Sequence, residues 1–82
     1  METMIGKVIH YYPKISVAAV ILEDHIAKGD RIHIRGPHDD MHQSVTSIEI
    51  EHMPIEEAGP GQDVGIKVTE RVHEGDVVFR ES

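Results

Sequence analysis

The sequence predicts a small all-β domain, a closed barrel built from six short strands. Short runs of β-branched and other apolar residues recur along the chain, and Gly, Pro and Asp separate them at short intervals. No segment has apolar residues at helical spacing over three turns, so any helix would be a single turn. Closure into a barrel would also remove the strand edges that invite aggregation.

The first two strands are predicted over residues 4–12 and 15–23. Pro13 cannot donate a hydrogen bond to a β-ladder, and the short connection around it indicates a hairpin. The second strand has an unbroken apolar run: Val17, Ala18, Ala19, Val20, Ile21 and Leu22. A barrel strand with one face in water should alternate between apolar and polar residues. One alternate half of this run therefore faces outward and requires a cover, from another protein, a second copy or the chain itself.

The third strand is predicted over residues 31–35, where Ile32 and Ile34 face inward between charged residues. A Gly-Asp pair at 29–30 precedes it, and a second pair at 75–76 precedes the last strand. In each pair we expect the glycine to adopt a positive φ and the aspartate to accept a hydrogen bond from a nearby backbone N–H.

The remaining three strands are predicted over residues 43–53, 64–68 and 77–79. In the first of these the inward phase slips by one residue between Val45 and Ile48, which indicates a bulge or a sharp bend between them.

The chain has 82 residues, and we expect residues 1–82 to form one domain. Cysteine is absent, which excludes thiol catalysis and thiolate metal sites and fits a reducing compartment. No apolar run approaches the ~20 residues that span a bilayer. We therefore expect a cytoplasmic protein without a membrane segment.

The net charge is −7, and no Lys or Arg lies between Arg35 and Lys67. Such an acidic stretch repels a nucleic-acid backbone and favours a solvated surface. Any contact with RNA phosphates would then depend on outward-facing cations of the strands, which are Lys7, Arg31, Arg35 and Lys67.

The chain has seven histidines. His38 and His42, with two aspartates between them, form a candidate metal site. This spacing places both rings on one face only in a helix, and Gly36 and Pro37 indicate a loop instead. The sequence therefore favours a plain polar turn, with most histidines facing solvent and no cofactor.

An enzyme is not expected. The Ser and Thr residues lack the context of an activated nucleophile. Glu56 and Glu57 are adjacent, so in a strand they would point to opposite faces and could not act as an acid–base pair.

Five motifs occur in order along the chain: Gly-x-Val at 6–8, hydrophobic-x-x-Gly-Asp at 26–30, Val-x-Ser-Ile-Glu at 45–49, Glu-Ala-x-x-Gly-x-x-Val-Gly-Ile at 57–66, and Gly-Asp-Val at 75–77. This ordered set resembles the second domain of elongation factor Tu and related translational GTPases. The resemblance implies a closed six-stranded Greek-key barrel of the translation-protein type. It also implies a non-enzymatic module that binds RNA (tRNA or rRNA) or a protein in translation or RNA metabolism.

A GTP-binding phosphate loop is absent, so no GTP is expected to bind this chain. Residues 5–12 and 54–68 are also similar to the C-terminal barrel of the collagenase-like peptidase family. The small barrel subunit of box H/ACA pseudouridylation particles shares the predicted architecture. The alternative function is an adaptor, or a homodimer formed through residues 17–22, that has no contact with RNA.

Overall fold

The computed structural model describes residues 1–82, which form ten β-strands and no helix. The strands are β1 (Glu2–Tyr12), β2 (Val17–Leu22), β3 (Ile26–Ala27), β4 (Arg31–Arg35), β5 (Asp40–Ser44), β6 (Ile48–Ile50), β7 (Met53–Ile55), β8 (Glu57–Ala58), β9 (Asp63–Lys67) and β10 (Val77–Glu81). The predicted all-β class is confirmed. The chain has no helix that could cross a membrane.

Eight strands form one antiparallel sheet in the order β5-β4-β10-β1-β2-β9-β6-β7, and β3 pairs with β8 in a separate ribbon. The predicted closed barrel of six strands is wrong in this respect, because β5 and β7 are edges of the sheet and do not pair with each other.

A buried side chain joins the edge strand β5 to the C-terminal end of β9, with which β5 has no backbone ladder. Gln43 of β5 is 5% exposed. Its Nε2 donates to the carbonyl oxygen of Lys67 at 2.8 Å, and its Oε1 accepts from the backbone N–H of Thr69 at 2.9 Å. The sheet thus curls around its core, and this amide side chain bridges the seam between β5 and the end of β9.

The longest strand, β1, pairs with β10 and with β2, and its register shifts between Met4 and Gly6 and again between Val8 and His10. Such bulges bend a strand and increase its twist. A Cβ at Gly6 would lie 2.5 Å from the carbonyl oxygen of Ile21. Glycine is therefore required where the bent strand approaches β2.

The predicted strand over 43–53 is divided into β5, β6 and β7. The break between β5 and β6 lies at residues 45–47, where the sequence predicted a bend. The second break was not predicted: Glu51 and His52 have φ values of 50° and 66° and form the turn between β6 and β7. Glu and His are not typical of such a turn, whereas Gly and Asn are, so the sequence has no signal for it.

Seventeen buried apolar residues form one core. Ile32 and Ile34 are fully buried, as predicted. On β2 the inward half is Ala18, Val20 and Leu22, each no more than 2% exposed. The outward half, Val17, Ala19 and Ile21, is half-buried. The apolar run is therefore partly covered by the chain itself.

Both Gly-Asp turns have the expected geometry. Gly29 and Gly75 have φ values of 94° and 92°. Asp30 Oδ2 accepts from the backbone N–H of Ala27 at 2.9 Å, and Asp76 Oδ2 accepts from that of His73 at 3.0 Å.

Candidate functional site

A groove with a volume of 310 Å³ lies on the outer face of β2 and β9. Val17 and Ala19 of β2 and Val64 and Gly65 of β9 line its floor. Gly65 lies opposite Ala19 in the ladder, and a Cβ there would be 3.1 Å from Cγ1 of Val17. The small residues keep the floor open, since a larger side chain at Gly65 would fill it.

One wall of the groove is the turn between β1 and β2. It presents Tyr12 and Ile15, which are 47% and 51% exposed. Lys67 Nζ donates to the carbonyl oxygen of Ile15 at 2.8 Å, and the backbone N–H of Val68 donates to the carbonyl oxygen of Ser16 at 2.9 Å. These bonds attach the turn to β9 and hold the apolar wall in place.

The opposite rim is acidic. Glu49, Glu51 and Asp63 line the groove together with His52, and no Lys or Arg does so. Glu51 and His52 have the left-handed backbone described above, a conformation that costs about 1–3 kcal/mol in non-glycine residues and is frequent at binding sites. The groove thus combines an apolar floor with a negative rim.

A second candidate site, here called the His33 cluster, is formed by Glu2, His33, Asp40, His42 and Glu81. His33 is the only buried histidine, at 8% exposure. Its Nδ1 lies 2.7 Å from Glu2 Oε2 and its Nε2 lies 2.5 Å from Asp40 Oδ1. The ring stacks on His42 with centroids 4.0 Å apart and planes 10° apart.

Two opposing effects act on His33. Burial of the ring lowers its pKa, but the hydrogen bonds with Asp40 and Glu2 and the charges of these carboxylates outweigh burial, so the pKa lies above the usual 6.5. The hydrogen bond with His33 correspondingly lowers the pKa of Asp40.

A third group, here called the Asp76 cluster, is formed by Asp39, His73 and Asp76. Asp76 is fully buried, and its Oδ1 has no hydrogen-bond donor. Burial, followed by the neighbouring Asp39, raises the pKa of Asp76. The neighbouring Asp76 carboxyl group, and the hydrogen bond with His73 (Nδ1 to Oδ2, 2.6 Å), lower the pKa of Asp39.

His38 and His42, the candidate metal pair that the sequence did not favour, belong to different groups. His42 stacks on His33, whereas His38 lies beside His73 with ring centroids 5.7 Å apart. The segment between β4 and β5 is a turn rather than a helix, as Gly36 and Pro37 indicated. Five of the seven histidines are exposed, as expected, but His33 is buried because the side chains of β1 and β5 cover it.

The four predicted phosphate contacts lie on three strands: Lys7 on β1, Arg31 and Arg35 on β4, and Lys67 on β9. All four residues are exposed. Arg31 Nε lies 3.7 Å from Glu81 Oε2, and Lys67 is bonded to the turn between β1 and β2. Two of the four are thus engaged by protein groups, and RNA contact through them stays a prediction.

Sequence reasoning missed the acidic rim and the pairing of His33 with His42. The rim depends on the unpredicted turn at Glu51 and His52. The histidine pair had a signal: the ladder between β4 and β5 places His33 opposite His42 because both are equidistant from the turn that Gly36 and Pro37 mark.

The chain was compared with known proteins by sequence. No protein-family profile matches it. It is 38% identical over 76 residues to a Methanocaldococcus jannaschii protein described as an uncharacterized protease. The match covers 92% of this chain and 19% of that protein, so the chain spans about a fifth of the relative's length.

Comparison with solved structures gives a close match to the C-terminal domain of a Geobacillus thermoleovorans protein described as a U32 peptidase. The TM-score is 0.90 at 26% identity, with 96% of this chain and 92% of that chain covered. A selenomethionine variant of the same domain matches with the same TM-score and covers 99% of that chain.

These comparisons support the resemblance to collagenase-like (U32) peptidases and do not support the one to elongation factor Tu. The predicted role as a translation-factor module is therefore wrong. The five motifs that suggested it are mostly turn and strand signals, which report how the sheet is built rather than what it binds.

Proposed function

We propose that the chain is a non-catalytic docking domain whose groove on β2 and β9 binds a basic segment of another polypeptide. The observation that carries this proposal is the apolar floor beside a rim in which Glu49, Glu51 and Asp63 have no Lys or Arg among them. An aliphatic or aromatic side chain of the segment occupies the floor, and its Lys or Arg neighbours pair with the rim carboxylates.

The lining of the groove supports binding rather than catalysis. It has no Ser, Thr, Cys or Lys to serve as a nucleophile. Its one histidine, His52, is exposed and lies in a turn. Its tyrosine and its three carboxylates have no side-chain hydrogen bond to a base that would activate them, so the lining fits recognition of a ligand better than catalysis.

The relatives suggest where such a domain acts. One is described as a protease, and the matching structure is the C-terminal domain of a protein described as a peptidase. Since this chain spans about a fifth of the M. jannaschii relative, we propose that it works beside a catalytic domain and holds a basic region of that domain's polypeptide substrate.

A second copy of this chain fits the groove less well than a basic segment. Each copy has a net charge of −7, and a dimer formed over the groove brings two acidic rims together. Self-association through β2 therefore stays a separate prediction, and measurement of the molecular mass against concentration tests it.

Fluorescence anisotropy with short labelled peptides tests the proposal. We expect a peptide with Lys-Leu-Arg at its centre to bind, and peptides with Glu-Leu-Glu or Lys-Ser-Arg at the same place to bind at least tenfold more weakly. Affinity should fall with added salt, because the rim contributes charge attraction at an exposed site.

Matched variants locate the binding. Glu49→Gln removes a negative charge from the rim, and Tyr12→Ala removes an aromatic side chain from the wall. Each variant should therefore weaken binding of the basic peptide. Glu70→Gln and Ile9→Ala change an exposed charge and an exposed apolar residue outside the groove and should have no effect. Equal binding of the basic and acidic peptides, or equal losses in all four variants, would overturn the proposal.

A further inference from the structure

A neutral His33 ring cannot donate a hydrogen bond to both of the carboxylates that face it. Each ring nitrogen faces a carboxylate oxygen, Glu2 at 2.7 Å and Asp40 at 2.5 Å. A neutral imidazole has one N–H, so the lone pair of the other nitrogen would point at a lone pair of a carboxylate. A positive charge between His33 and one of these carboxylates removes the repulsion, and it can be a proton or a metal ion.

Further ligands surround the same point. The candidate ligand atoms of Glu2, His33 and His42 all lie within 4.8 Å of one another. Glu81 adds a fourth group, with both carboxylate oxygens 3.2 Å from His42 Nδ1. Three carboxylates thus converge on two imidazoles, and Arg31 is the one Lys or Arg that forms an ion pair with any of them.

We propose that Glu2, His33 and His42 form a binding site for a divalent transition-metal ion, with Zn²⁺ as the best-suited ion and Glu81 or water as the fourth ligand. Imidazole nitrogens and carboxylate oxygens are preferred Zn²⁺ ligands in a tetrahedral set. The absence of cysteine leaves a site of nitrogen and oxygen ligands.

Asp40 has the position of a supporting group in this site. Its Oδ1 lies 2.5 Å from Nε2 of His33, so it can accept the one N–H of the neutral ring when Nδ1, which faces Glu2, binds the ion. Histidines that bind metal commonly donate their other ring N–H to a carboxylate in this way.

The three proposed ligands differ in how freely their side chains can move. His33 is buried in β4 and is held on one side by His42, its partner in the β4–β5 ladder. Glu2 and His42 are exposed. Ligand atoms around Zn²⁺ are about 3–3.5 Å apart, given bonds of about 2.0–2.1 Å. The Glu2 carboxylate, 2.7 Å from Nδ1 of His33, must move slightly away to admit the ion, and His42 must turn out of its stack on His33 to direct a nitrogen toward it. Both movements are rotations of exposed side chains.

Titration of tag-free protein with Zn²⁺, in competition with a chromophoric chelator, tests the site. We expect one equivalent to bind, and Co²⁺ at the same site to give a visible spectrum of tetrahedral type. His42→Ala and Glu2→Gln should each weaken Zn²⁺ binding at least tenfold. Both residues are exposed, so circular dichroism should show both variants folded.

His10→Ala is the matched control, because His10 is an exposed histidine that pairs with Glu74 outside the cluster. It should leave Zn²⁺ affinity unchanged. His73→Ala tests the Asp76 cluster, the other group that can hold a metal ion. The proposal is overturned if wild-type protein binds no stoichiometric Zn²⁺, if His42→Ala binds as tightly as wild type, or if His73→Ala alone loses the ion.

Discussion

Asp76 has a buried carboxylate oxygen, Oδ1, that no donor reaches. The space beside it is made by a glycine: a Cβ at Gly36 would lie 1.9 Å from this oxygen. The other oxygen accepts from the backbone N–H of His73 and defines the turn before β10. One carboxylate oxygen of Asp76 thus stabilises a turn, while the other opposes ionisation of the same residue.

We predict that Asp76→Asn stabilises the protein at neutral pH. Asparagine keeps an oxygen for the N–H of His73 and places an amide donor beside Asp39, so the gain should be about 1–3 kcal/mol, the usual cost of an unsatisfied buried polar group. Urea unfolding near pH 7 measures it. Asp63→Asn, at an exposed residue, should change stability little.

The stability gained by Asp76→Asn should depend on pH. Burial and Asp39 raise the pKa of Asp76, so its contribution to stability is complete below the usual Asp pKa and is lost as pH rises through the raised value. Asp76→Asn should therefore gain less near pH 4 than near pH 7. A gain of equal size at both pH values, or a loss at neutral pH, would contradict this reading of Asp76.

Strand β2 shows what alternation can and cannot determine. The apolar run predicted that one half of the strand faces outward, but two faces of equal hydrophobicity do not determine which half. In the structure Ala18, Val20 and Leu22 face the core, and the ladders of β2 with the bulged β1 and with β9 hold this register on both sides.

We predict opposite outcomes for two neighbouring substitutions in β2. Val20→Lys places an ammonium group in the core, where Val20 is 0% exposed, and should unfold the protein, because a loss of about 4 kcal/mol or more is a large part of the stability of a small domain. Ile21→Lys points outward opposite Asp63 and should remain folded. Circular dichroism and thermal melts distinguish the two, and a folded Val20→Lys would show that the register is wrong.

The turn between β6 and β7 is the second element-scale feature. A hairpin turn with positive φ at both central residues favours Asn-Gly, and here Glu51 and His52 occupy these positions. We predict that His52→Gly raises the stability by about 1 kcal/mol, since glycine adopts this conformation without the steric penalty. Thr46→Gly, at an exposed residue without positive φ, should lower it instead. Loss of stability in both variants would indicate that the turn is not strained.

At the scale of the whole molecule, the sequence predicted the all-β class, the buried face of β4, both Gly-Asp turns and the bend after β5. It predicted a closed barrel because closure removes strand edges, yet β5 and β7 stay unpaired edges, and the side chain of Gln43 bridges β5 to the end of β9 instead. It did not predict the groove, because the rim and the floor come from segments far apart in sequence. Function was least accessible, since turn motifs describe folds that serve many proteins.

We predict that replacement of Gln43 destabilises the contact between β5 and the end of β9 more than the rest of the sheet. Gln43→Leu keeps a similar volume but removes the partner of the Lys67 carbonyl oxygen and of the Thr69 N–H, which should cost about 1–3 kcal/mol for two part-buried hydrogen bonds. Hydrogen exchange should show faster exchange for the N–H of Thr69 and for β5, an edge strand paired with β4 alone, while β1 keeps its protection, because β1 has paired strands on both sides. Gln62→Leu removes one exposed hydrogen bond, to the N–H of Gly59, and should alter exchange only in its own loop. If Gln43→Leu instead accelerated exchange equally across all strands, the side chain would be a general support of the core, and the seam would not be a separate unit of stability.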